Sequence, residues 1–244
     1  MDGREDLDSF LGKWHARWPE WRVAAAFLPA ARRDVALAWL CLRQELADAA
    51  WAGVDPRPGE AKLGWWIEEL QAWEQGHARH PLARALQPLA APWAALATAV
   101  PALAQARERA ADFDEARQQL QPYAAAAVAV SRALADEPGR AGTDGAGALA
   151  DTVLGQRLLD GDPSSVPLQV RARLGAEAGE PDLRQEAAAM LLRAWPAADR
   201  LPRVERIQRA LVHARLRALG RRRDGGRPLP GWRALATAWA AARG

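Results

Sequence analysis

The sequence predicts an all-α fold. Three observations carry that expectation. Ala, Leu, Arg, Glu and Gln, the good helix formers, fill most of the 244 residues. Val, Ile, Phe and Tyr, which favour strands, are scarce. Apolar residues recur at three- and four-residue steps in one segment after another, the signature of a helical face.

Taken in order, Phe10, Leu11, Trp14, Trp18 and Trp21 predict two short helices over 8–25, broken at Pro19. Val35, Trp39, Leu42, Leu46 and Ala49 make one face of a long helix over 30–51. The stretch 54–60, VDPRPGE, predicts a loop, and 61–76 a helix with Leu63, Trp66, Ile67, Leu70 and Trp73 on one side and Gly76 at its end. Pro81 opens a short helix to about residue 87, and 91–107 predicts a helix kinked at Pro101. A long helix over 112–135 turns Phe113, Leu120, Ala124, Ala127 and Leu134 inward, and the Gly-rich stretch 136–147 predicts a flexible connection. Helices follow at 148–159, 167–174, 182–195 and 202–219, with a loop at 160–167. Trp232, Leu235 and Trp239 mark a last short helix. No internal repeat and no long linker appears, so one domain over 1–244 is expected.

Net charge is +3, and all but Lys13 and Lys62 of the 33 basic residues are Arg, interspersed with 30 acidic ones. That pattern argues against one large single-sign field. Cys41, the only cysteine, excludes a disulfide framework and predicts a buried small hydrophobe. No apolar run approaches the length that spans a bilayer, and the acidic, polar N-terminus is unlike a signal peptide, so a cytoplasmic protein is expected. Most of the 12 Trp residues sit at helical spacing among Leu and Ala, which predicts core packing in preference to stacking on bases. The stretch 220–227, GRRRDGGR, follows a helix end where cations suit the dipole, and no recognition motif accompanies it, so nucleic acid is not an expected partner. His77 and His80 are spaced like a metal pair, but nothing completes a tetrahedral site; a helix-end pair beside Pro81 is the better reading.

Several segments, in order, resemble the squalene/phytoene synthase family. FLPAARRDVALAWLCLRQELADAAW at 27–51 is similar to the family's first motif, and KLGWWIEELQAWEQGHARHPLARAL at 62–86 to the stretch with its tryptophan, glycine, His-Pro and Ala-Leu. The helix with Leu120 and Tyr123 resembles its Leu-x-x-Tyr helix, and SSVPLQVRARLG at 164–175 its Leu-Pro segment. The basic helix at 203–219 and the Trp232–Trp239 segment match its C-terminus. The resemblance implies a single-domain, isoprenoid-synthase-like helical bundle with a central cavity between the helices at 30–51, 61–76, 112–135 and 148–159. It also implies the family's chemistry: head-to-head joining of isoprenyl diphosphates, with Mg²⁺ held by two Asp-x-x-x-Asp helices and offsetting the leaving group's charge.

The chain departs from that pattern at its carboxylates. Counted from Pro29, the first motif's metal-binding positions fall on Ala47 and Trp51. Glu45 and Asp48 remain, but at 100° per residue they point off the face lined by Gln44, Ala47 and Trp51. In the second motif, LGQRLLDGDP at 154–163, Gln156, Asp160 and Asp162 survive, and Asp162 before Pro163 reads as a turn residue. The expectation is therefore a family member that is non-catalytic at the Mg-diphosphate site, with no metal or other cofactor there. It would act by binding an isoprenoid or lipid-like molecule or as an assembly factor for a protein partner, and its surface admits peripheral membrane contact. The alternatives are a working prenyltransferase or an unrelated helical adaptor. In the enzyme reading Mg²⁺ is needed, the candidate residues are Glu45, Asp48, Tyr123, Gln156, Asp160 and Asp162, and Arg157 assists. Trp51 is expected to project into the cavity, lower its polarity and favour an apolar chain over a diphosphate.

Overall fold

The computed structural model describes residues 3–135, 145–196, 201–221 and 226–243, and every regular element among them is a helix. α1 (Gly3–Arg17) stops ahead of Pro19, and α2 (Trp21–Ala24) runs on into a 3₁₀ turn at Ala25–Phe27. α3 (Arg33–Trp51) follows a 3₁₀ turn at Ala30–Arg32. α4 (Arg57–Glu74) begins inside the predicted loop 54–60. Pro58 fits a first helical turn, where the N–H it lacks would have no partner. After α5 (Ala83–Leu86), residues 91–107 form two helices, α6 (Trp93–Ala99) and α7 (Pro101–Gln105), because Pro101 offers no N–H to continue the ladder.

α8 (Phe113–Ala135) carries Pro122 inside it. Of the Gly-rich stretch, 136–144 lies outside the described residues, and Gly145 already begins α9 (Gly145–Asp160). A 3₁₀ turn at Pro163–Ser165 leads to α10 (Leu168–Leu174), α11 (Glu180–Arg193), α12 (Arg203–Leu219) and α13 (Gly231–Arg243).

α3 packs on α1, α4, α5, α7 and α8, while α9 packs on α8, α11 and α12. The buried hydrophobic residues form one cluster running from Trp14 to Ala238. Small residues let the helices close up. A Cβ on Gly155 in α9 would meet Val212 Cγ1 of α12 at 2.7 Å and Leu216 Cδ1 at 2.8 Å. Trp14, Trp18, Trp21, Trp39, Trp66, Trp73 and Trp93 are buried among these helices. Cys41 is buried too, and burial, then Glu45, pushes its thiol up to about 12. His80 packs on Phe10 and Trp66 and accepts the Leu82 N–H through Nδ1, while His77 is exposed.

The last helix departs from expectation. Its periodic apolar residues look outward: Trp232 is 73 % exposed, Leu235 47 % and Trp239 47 %, while Ala234 and Ala238 make the buried face. The close approach of α13 to α12 needs the small residues inside, so the large ones take the outside. Among the described residues no helix is long and apolar enough to cross a membrane.

Candidate functional site

The helices that carry the two carboxylate-bearing segments, α3 and α9, face one another across a small central cavity. Gln44, Ala47 and Trp51 of α3 line it, with Tyr123 of α8 and Gln156, Arg157 and Asp160 of α9. α1 and α7 complete the wall through Trp14 and Leu103; the helix at 61–76, expected to contribute, does not. The α3 residues recur at three and four positions, so a regular helix delivers them to one side.

Trp51 lines this cavity, and its surroundings explain its hold. Its indole N–H donates to the Leu103 carbonyl at 2.9 Å, and the Arg157 guanidinium lies 4.8 Å from its ring centroid. The cavity it closes measures about 20 Å³. That is the space of a single water, whereas pockets for ligands run to roughly 300–1,000 Å³. The expected apolar-chain compartment is therefore filled by side chains, since Trp51 and the stacked Arg157 occupy its mouth.

The carboxylates divide. Glu45 leaves the cavity face, as its helical angle requires, and pairs with Lys62 at 2.8 Å. Asp48 does not follow the same rule. It accepts from Gln44 Nε2 at 2.8 Å and from Arg17 Nη1 at 2.9 Å, so its side chain bends back toward the cavity's edge. Asp160 accepts from Arg17 Nε at 3.0 Å. One guanidinium, from the end of α1, thus bridges the surviving carboxylates of α3 and α9. Burial raises the Asp160 pKa, with Arg17 opposing, and burial lowers that of Arg17, more than offset by Asp160 and Asp48, so it ends raised. Asp162 caps the following 3₁₀ turn through the Ser164 N–H at 2.8 Å and holds Arg157 Nε at 2.6 Å. Arg157 also donates to the carbonyls of Ala106 and Arg107, so its charge is committed to the fold.

Tyr123 is buried and hydrogen-bonded to Arg43, and burial raises its pKa against the pull of that guanidinium. Arg43 in turn pairs with Glu205 of α12, which also accepts the Trp39 indole N–H at 2.9 Å. The pair is enclosed, with side chains 6 % and 0 % exposed. Sequence reasoning missed this network and Arg17. Their partners are far apart in the chain, and no helical period links them.

A match to a family model now bears on these residues. Residues 20–137 match the model described as squalene/phytoene synthase. Over that segment, the chain is similar to the squalene/phytoene synthase family. The crystal structure of squalene synthase HpnC from Alicyclobacillus acidocaldarius matches with a TM-score of 0.51 and 19% identity, covering 93% of this chain and 97% of that one. This chain therefore shares the all-α fold of HpnC. No curated protein matches it.

The resemblance to squalene/phytoene synthases implies Mg²⁺ between α3 and α9. The residues present do not fit it. Mg²⁺ demands oxygen ligands in near-octahedral order, and Ala47 and Trp51 offer none. Asp48 and Asp160 have their oxygens turned to Arg17. Among the described residues no group of three or more His, Cys, Asp or Glu side chains converges on a metal-sized site.

Proposed function

We propose that this protein is a non-catalytic member of the squalene/phytoene synthase family, a pseudoenzyme at its Mg-diphosphate site, which acts by binding or assembly through its surface. The bridge from Arg17 to Asp48 and Asp160 carries this reading. A cation fixed to the protein pairs with both carboxylates that remain near the motif positions. Ionising an allylic diphosphate needs mobile metal charge on the leaving group and an apolar space for two chains. The Ala47 and Trp51 positions supply no metal ligand, and a cavity of about 20 Å³ holds no chain. A lipid or isoprenoid partner is accordingly expected on the outer surface and not in the centre.

The test is turnover. Full-length protein with Mg²⁺ and farnesyl or geranylgeranyl diphosphate is expected to release no diphosphate and form no C–C product by mass spectrometry. Product formation that is lost in Asp160→Asn overturns the reading and establishes a working prenyltransferase.

A further inference from the structure

α13 presents to solvent a surface without parallel among the described helices. Its exposed residues are Trp232, Leu235, Trp239, Gly231, two alanines and the arginines Arg233 and Arg243; none is acidic and none is neutral polar. Trp232, Leu235 and Trp239 follow at three and four residues and form one stripe. A helix facing only water normally carries charges of both signs on its outer side. An apolar stripe flanked by arginines is instead the pattern of a helix lying in a bilayer interface.

The charge beside the stripe points the same way. A groove of about 960 Å³ runs between α12 and α13, bordered by Arg217, Arg221 and Arg233, with Trp232 at its edge. Among the described residues no carboxylate lines it. Arg222 and Arg223, singled out in the sequence, lie outside the described residues.

We infer that α13 and the arginine-bordered groove form a docking surface for a bilayer rich in anionic phospholipid. Trp232 and Trp239 would sit at headgroup depth, where an indole keeps its ring apolar and its N–H wet. Leu235 would enter the acyl boundary beside them. Arg243, 4.1 Å from the Trp239 ring centroid, and Arg233 would reach back to lipid phosphates. With no spanning helix among the described residues, the protein would lie on the membrane. A second copy fits the same face poorly, because pairing α13 with α13 sets arginines against arginines. Nucleic acid would suit the groove but leave the apolar stripe in water. This inference holds whether or not the central site is catalytic, so its failure leaves that reading standing.

Co-sedimentation of the full chain with vesicles tests it. Vesicles of three parts phosphatidylcholine to one part phosphatidylglycerol should pull the protein down. Phosphatidylcholine alone should bind roughly tenfold or more weakly, and high salt should weaken the anionic case. Trp232→Ser with Trp239→Ser, and separately Arg217→Gln with Arg233→Gln, should each reduce binding about tenfold. In the wild-type chain, bromine-labelled acyl chains should quench part of the tryptophan emission, a readout that needs no variant. Three results overturn the inference: no binding to anionic vesicles, Trp variants that bind like wild type, or a wild-type dimer that these variants dissociate. Competition by RNA that removes the chain from vesicles while the Trp variants still bind RNA fully would likewise assign the groove to nucleic acid.

Discussion

Replacing Arg17 by Met keeps the hydrophobic stem and removes the charge between Asp48 and Asp160. Two ion pairs are broken, at 2.9 and 3.0 Å. A buried bond to a charged group contributes about 1.5–3 kcal/mol, and an exposed ion pair about 0–1. The side chains here are 35 % exposed for Arg17, 36 % for Asp48 and 25 % for Asp160, which places each bond between those limits, near 1 kcal/mol after solvent screening. The expected loss is about 2 kcal/mol in urea or guanidinium denaturation, with the slope unchanged. A double-mutant cycle with Asp160→Asn should return a coupling of about 1 kcal/mol.

The pH dependence fixes the sign. Asp160 already has a raised pKa in the folded protein, from burial first, with Arg17 opposing. Its ionised form therefore costs stability at neutral pH, and the cost is relieved as pH falls through the folded pKa. Without Arg17 that pKa rises further, so the loss in Arg17→Met should shrink on acidification. Adding Mg²⁺ at matched ionic strength should leave wild-type stability unchanged, since a metal gains stability only by occupying a site. A loss below about 0.5 kcal/mol, an absent coupling, or a wild-type gain with Mg²⁺ would refute the reasoning.

Two further outcomes follow from the same geometry. Trp51→Ala removes an indole held by Leu103 and Arg157, and should cost about 2–4 kcal/mol while enlarging the central cavity; farnesol binding, measured by calorimetry, is expected in the variant and not in the wild type. Burial, above all, lowers His80 to about 4 from 6.5, so the folded state resists protonation that the unfolded chain accepts. Its contribution is complete above pH 6.5 and is lost as pH falls toward 4, by up to about 3 kcal/mol. In His80→Phe the denaturation midpoint should lose that part of its pH dependence; an unchanged slope between those pH values counts against the assignment.

The family resemblance over 20–137, the helical class and most helix positions were legible in the sequence, because they rest on local signals. Pro19 and Pro101 interrupt helices wherever the fold places them, and a 3.6-residue period marks which residues share a face. The Gln44, Ala47 and Trp51 face reached the cavity as the helical angle requires, and Glu45 left it. What the period does not tell is which way a face looks. In α13 the large residues were correctly grouped, yet they point to solvent because α12 and the core admit only Ala234 and Ala238. Nor does a helical angle fix the reach of a long side chain. Asp48 starts off the cavity face and still meets Arg17, 31 residues earlier, while the same arginine meets Asp160 across 143 residues. Those contacts depend on how α1, α3 and α9 are packed, and so does the volume left between them. The sequence by itself determined the helices and the absence of side-chain oxygen ligands at positions 47 and 51. Only the tertiary structure decided that an arginine would join the remaining carboxylates and that side chains would close the space, because both result from residues distant in the chain meeting at one place.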